Sequence, residues 1–169
     1  YSFQVSGYMK VFLDRLAFFL YRPQFFSKTY ISIVAQGIYG GKKILKYLNQ
    51  IGEAMGFNTV NGTCIKTLEP IPEKQQRKNN EKINKLSKKF YSQLIKNDYP
   101  NPSLFKLILF RMSRASINKS LNEEYKDYAY YKEKGWFDSD YYYPAYLNPF
   151  KKMVGKLFDI IAVRISKSN

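Results

Sequence analysis

The sequence contains no histidine. That absence excludes histidine metal ligands, a histidine general base, and any catalytic device built on a serine–histidine or cysteine–histidine pair. There is one cysteine, Cys64, so the 169 residues hold no internal disulfide and no four-cysteine zinc site. They also hold no iron–sulfur cluster bound only by the chain's own thiolates. A long hydrophobic run is missing too. The best stretches, Val11–Leu13 and Ala17–Tyr21, are broken by Asp14, Arg15 and Arg22, which is too soon for a bilayer span. No signal-peptide pattern opens the sequence as it stands, and scarce cysteine fits a reducing compartment, so a cytoplasmic protein is expected. Acidic residues are few, 13 against 28 lysines and arginines, giving a net charge of +15.

Aromatic side chains, by contrast, make up 18% of the chain and apolar residues 45%, enough to build a core despite the charge. Most glycine lies before residue 70 and most tyrosine after it. A division near residue 97 follows, with an α/β part in 1–97 and a helical and irregular, aromatic-rich extension in 98–169.

In the first part, Met9, Phe12, Leu13, Leu16 and Ala17 recur at helical spacing, which predicts a helix over Gly7–Leu20 with Ser6 as its N-cap. The β-branched run Thr29–Ala35 predicts a buried strand. After the loop Gly37–Gly41, the spacing of Ile44, Leu45, Leu48, Ile51 and Met55 predicts a helix that stops at Gly56. Thr59–Ile65 reads as a second strand, broken by Gly62. Strand, glycine loop, helix and strand in succession form a βαβ unit, and hence part of a parallel sheet. Two strands are fewer than such a sheet needs, so further strands are expected before Tyr1.

Pro72 then opens a basic helix over Glu73–Ile95, which ends the first part, with Ile83, Leu86, Phe90 and Leu94 on its apolar edge. A further helix is predicted over Leu104–Lys119, and an irregular lobe over Gly135–Pro149. A last helix covers Phe150–Val163, with Met153, Val154, Leu157, Phe158 and Ile161 on one side. The rings of Trp136, Phe137, Tyr141, Tyr142 and Tyr143 are too many to leave exposed together. They are expected to cover the α/β domain, to cap a ligand entrance, or to pack on a second subunit.

Two segments are candidates for ligand contact. The Gly37–Gly41 loop lies between strand and helix, where backbone donors meet electron-rich groups. Its spacing is neither a dinucleotide fingerprint nor a Walker loop, so plain turn chemistry competes with a ligand role. The opening YSFQVSG runs into a helix N-terminus, and Tyr1 and Phe3 either face a planar ring or belong to a core. Cys64 reads as a small buried hydrophobe rather than a redox nucleophile. The lysines of the Glu73–Ile95 helix and the aromatic tail fit an acidic redox partner, a nicotinamide dinucleotide or a membrane surface better than nucleic acid, since no nucleic-acid recognition motif accompanies them.

Val5, Ser6, Gly7, Met9, Lys10, Phe12, Asp14 and Arg15 reproduce a V-S-G-x-M-K-x-F-x-D-R pattern. With the following LAFFLYRPQFF, the glycine loop at Gln36–Gly41 and the turn Gly56-Phe57-Asn58, the chain closely resembles the NAD(P)H-dependent FMN reductase and flavodoxin-like flavoprotein family. The tail, with FRMSRASINKSL and YYKEKGWFDSDYYYPAYLNPFKKMVGKLFD, looks like an extension carried by one subgroup.

The resemblance implies a flavodoxin-like three-layer α/β sandwich, of which 1–97 would be the second half of an FMN-binding domain. Its first three strands, its phosphate loop and any iron–sulfur site would lie upstream. It implies bound FMN, with the flavin ring contacted by Tyr1, Phe3, Val5 and Ser6 on one side and by Gln36, Gly37 and Tyr39 on the other. The implied activity is an oxidoreductase that passes hydride from NAD(P)H through the flavin to a small acceptor such as a quinone, nitro compound or free flavin; a homodimer is also implied. Two other readings stand beside it: a flavodoxin-type electron carrier without nicotinamide activity, and a non-enzymatic adaptor that binds through its basic aromatic tail.

Overall fold

Two parallel strands, β1 (Thr29–Gln36) and β2 (Asn58–Lys66), organise the first half of the protein. They belong to a computed structural model that describes residues 4–96 and 99–165. The chain is mixed α/β and divides into two compact units, Tyr1–Asp98 and Tyr99–Asn169.

In the first unit, helix α1 (Gly7–Arg15) is followed after a short break by α2 (Phe18–Tyr21). Ser6 caps α1 as expected, its Oγ accepting from the Met9 N–H at 3.2 Å. The single helix expected over Gly7–Leu20 is interrupted at Leu16 and Ala17, where the amides turn to carbonyls three residues back and the winding tightens. No residue of α1 is buried, and Met9 and Phe12 stand exposed rather than facing a core. Nothing among the described residues covers that stripe. The following segment is anchored instead. The Gln24 and Phe25 amides both donate to the Met55 carbonyl, and Phe25 stacks on Phe57 at 4.4 Å.

The crossover between the strands is α3 (Gly41–Ala54). It packs on the face of β1 that carries Tyr30, Ser32 and Gln36, and the Ser32 hydroxyl donates to Asn49 Oδ1 at 2.9 Å. Alternate residues point the other way, and Ile33 and Ala35 on that face are exposed. The pairing steps from Ile31↔Val60 to Ile33↔Thr63, so β2 carries an extra residue there. Gly62, expected to break the second strand, instead sits in a β-bulge within it.

The outer edge of β2 is covered by α4 (Glu73–Leu94). Asn79, buried in α4, donates through Nδ2 to the Lys66 carbonyl at 2.7 Å and accepts the Lys66 N–H at 3.3 Å. One amide side chain thus fills both backbone valences that a third strand would have taken. Leu86 is buried as expected, whereas Ile83 and Leu94, assigned to the same apolar edge, are exposed.

The second unit holds α5 (Leu104–Ser120), α6 (Lys126–Glu133) and α7 (Pro149–Ile165). Between α6 and α7 runs an irregular stretch whose rings form the unit's core. Trp136 meets Tyr131 at 4.9 Å and Tyr142 at 4.7 Å, both edge-on, and its indole N–H donates to the Tyr142 carbonyl at 2.9 Å. Phe110 of α5 closes the cluster against Tyr141 and Tyr142. These aromatics, expected to cover the α/β domain or to pack on a second subunit, are the interior of their own unit. Deep polar anchors accompany them: Arg111 of α5 reaches Asp159 of α7 at 2.8 Å and pairs with Asp140, while Arg114 meets Asp159 at 2.7 Å.

Of the five apolar residues expected on one side of α7, Val154, Phe158 and Ile161 are half-buried, whereas Met153 and Leu157 point outward, and Gly155, Ala162 and the Asp159 carboxylate face α5. Small residues there let two helices close on a buried guanidinium, which bulky apolar side chains would have held apart.

Burial raises the Tyr131 phenol to about 12 and the Tyr142 phenol well above its ordinary value. Both therefore stay neutral in the folded state after an unfolded phenol, near 10, has begun to ionise. Their contribution is fully present below about pH 10 and is lost as pH rises through 12, worth about 2–3 kcal/mol for Tyr131 alone. An alkaline titration followed by tyrosinate absorbance and far-ultraviolet circular dichroism is expected to show a late group of tyrosines ionising together with loss of helix. A single phase near the ordinary phenol value with helix retained would contradict this.

Candidate functional site

Parallel strands end at the same side of a sheet, and the loop leaving β1 there borders a concavity. Gln36 is the last residue of β1, Gly37–Gly40 form the loop, and Gly41 begins α3. The geometry is locked from within: Gln36 Oε1 accepts the Gly41 N–H at 2.8 Å, and the Gln36 carbonyl accepts the Thr67 N–H at 2.9 Å. Glycine is called for where this turn enters α3. Gly40 has φ +98°, and a Cβ at Gly41 would sit 2.3 Å from Gln36 Oε1.

A cavity of about 480 Å³ opens above the loop, lined by Gln36, Ile38, Tyr39, Gly40, Lys42 and Lys43. With its oxygen held by Gly41, Gln36 keeps its Nε2 donor without a partner among the described residues. Ile38 also borders a second cavity of about 370 Å³, which extends to Gly37, Lys66 and Leu68. Both Ile38 and Tyr39 are largely exposed. The combination of one amide donor, one aromatic ring, one aliphatic side chain and two ammonium groups suits a planar, electron-rich or anionic molecule. It contains no nucleophile and no acid–base pair. Among the described residues no group of acidic or cysteine side chains is arranged to hold a metal ion.

Of the residues expected at a site, Gln36 and Tyr39 line the larger cavity, and Gly37 the smaller. Gly37 has open space where a Cβ would be, so its backbone can be approached closely. Val5 and Ser6 are half-buried at the start of α1 and line neither cavity. Tyr1 and Phe3 lie outside the described residues. Sequence reasoning passed over Ile38, Gly40, Lys42 and Lys43. The signal for the lysines was their place in the first turn after Gly40-Gly41, where side chains border the loop's opening.

Cys64 lies near the carboxyl end of β2, half-buried, with its sulfur against Gly41. Burial pushes its thiol up, with Lys82 and Lys42 opposing, so it lacks the thiolate character a redox nucleophile needs.

No family model matches this sequence, and no curated protein is significantly similar to it.

Proposed function

We propose that this chain is the ring-binding half of a flavodoxin-like FMN oxidoreductase that accepts hydride from NAD(P)H and passes it to a small acceptor. One observation carries the reading. The β1–α3 loop is pinned by Gln36 so that an amide donor and an exposed aromatic ring border one cavity, and the open Gly37 backbone the adjoining one, at the carboxyl end of parallel strands. That is where doubly wound proteins hold their ligands. The open face of β1, with Ile33 and Ala35, supports a further layer packed on that side of the sheet, as a three-layer sandwich requires.

The residues present fit the ring edge of FMN. Gln36 Nε2 would donate to a carbonyl or imine of the ring, Tyr39 and Ile38 would cover it, and Lys42 and Lys43 would attract an anionic donor. Bound FMN would supply the two-electron chemistry. The protein's part is to orient the ring, hydrogen-bond its edge and exclude water, which requires no histidine. The cytoplasm is the compartment proposed.

The test is the visible spectrum of the full-length gene product supplied with FMN, before and after anaerobic NADPH. Flavin bands that bleach promptly are expected. Gln36→Leu should slow bleaching about tenfold, the loss of one charge-stabilising hydrogen bond. Bands that persist would favour an electron carrier. No bound flavin would overturn the assignment and leave the adaptor reading.

A further inference from the structure

Independently of the flavin reading, the second unit carries an apolar stripe on its outside. Phe150, Met153, Leu157 and Ile160 of α7 are each more than half exposed. Their spacing of three, four and three residues gathers them within an arc of roughly 80° at 100° per residue, over about 15 Å of helix. The inner face of the same helix is already used, by Gly155, Ala162 and Asp159 against α5. Two faces of the helix therefore call for partners, and the described residues of the second unit satisfy only one.

The charge around the outer stripe restricts what can cover it. Lys156 borders the stripe on one flank, and Arg164 stands at its end, both exposed. The only acidic residue of α7, Asp159, is occupied by Arg111 and Arg114 on the opposite side. A second copy pairing through this stripe would bring lysine against lysine, in a chain of net charge +15. The covering surface must be apolar and anionic together. A single helical ridge needs no matching groove if its counterpart is fluid, and lysine side chains reach past an apolar stripe to phosphate while their stems stay buried. Tyr146, strongly exposed just before the helix, adds an amphipathic ring of the kind that settles at headgroup level. Among the described residues no helix is long and apolar enough to cross a membrane.

We propose that α7 is a membrane-surface helix: Phe150, Met153, Leu157 and Ile160 enter the acyl boundary of an anionic bilayer, while Lys156 and Arg164 meet its headgroup phosphates. This surface is set by α7's own sequence and by the way Asp159 turns the helix.

The experiment is co-sedimentation of the whole chain with vesicles of phosphatidylcholine alone and with about a quarter phosphatidylglycerol. Binding is expected only to the anionic vesicles. Met153→Glu/Leu157→Glu should lower partition by about tenfold or more, and Lys156→Glu/Arg164→Glu by a similar factor. Far-ultraviolet circular dichroism should be unchanged in both, since all four side chains are exposed. If the first variant does not fold, the cation pair carries the test. Equal binding by wild type and folded variants would mean that net charge alone attracts the chain, and would overturn the proposal. So would failure to bind either vesicle, whether light scattering then finds a dimer that Leu157→Glu dissociates or an acidic protein is found to occupy the stripe.

Discussion

Replacing Asp159 by alanine is expected to cost the second unit about 3–5 kcal/mol, the range for breaking a buried ion pair from one side. Asp159 is the only contact through which α7 reaches both Arg111 and Arg114, at 2.8 and 2.7 Å. The Arg111 side chain is only 5% exposed, and its Nε already lacks an acceptor. Without Asp159 its guanidinium would keep Asp140 alone, a carboxylate that is 61% exposed and screened by water. A nearly bare charge would remain in the interior, and α7 would lose its ion pairs to α5, keeping only packing and the Lys119 bond to the Val163 carbonyl among the described contacts. Asp140→Ala removes the solvated partner and should cost about 1 kcal/mol or less. Urea denaturation of the two variants separates the cases. A large drop in midpoint for Asp159→Ala and a small one for Asp140→Ala is expected; equal drops would show that the network is not organised around Asp159. A typical domain has only about 5–15 kcal/mol in hand, so the larger effect should approach unfolding.

The same residue explains why α7 was hard to orient from its sequence. Periodicity locates a helix and ranks its faces by apolar content, and by that measure Met153 and Leu157 belong inside. The interior chose otherwise because of Arg111, 48 residues away, whose charge drew the Asp159 face inward. No local pattern carries a pairing at that separation. In α1 the stripe of Met9 and Phe12 is real, though nothing among the described residues covers it, and what the spacing did not carry is the break at Leu16 and Ala17. Short-range features were legible. Ser6 caps α1 because a hydroxyl before an amphipathic run meets the third amide, and β1 and β2 follow from β-branched runs closed by polar or glycine residues.

At the candidate site, the strand–glycine–helix order identified the loop, and Gln36, Gly37 and Tyr39 do border its cavities. What could not be read was the internal bond from Gln36 to the Gly41 amide, which turns a flexible-looking glycine loop into a fixed rim. That bond depends on the backbone direction at Gly40, and composition does not encode it.

Gly62→Ala is the second change with a large expected effect, and it acts on the first unit alone. In the bulge of β2 a Cβ at this position would lie 1.8 Å from the Ser32 carbonyl oxygen and 2.9 Å from a Leu45 methyl. The nearer atom is backbone of the paired strand, so no side-chain rotation relieves the overlap. Either the β1–β2 ladder opens around Ser32 or the bulge unwinds. The second route would shift the register and turn the Thr63–Lys66 side chains to the other face. The cost is expected to be about 3 kcal/mol or more, the upper end for overpacking a fixed interior. Gly37→Ala is the control, because a Cβ there meets nothing within 4 Å, and its effect should stay within about 0.5 kcal/mol. Thermal melts of the two variants decide the point. If Gly62→Ala melts with the wild type, Ser32 and Gly62 do not approach as closely as the bulge requires. If both variants fall together, the loss lies in the flexibility common to the two glycines. A fall confined to Gly62 would establish that β2 is threaded past Ser32 at backbone distance, which is what sets the carboxyl ends of both strands beside the Gln36 rim.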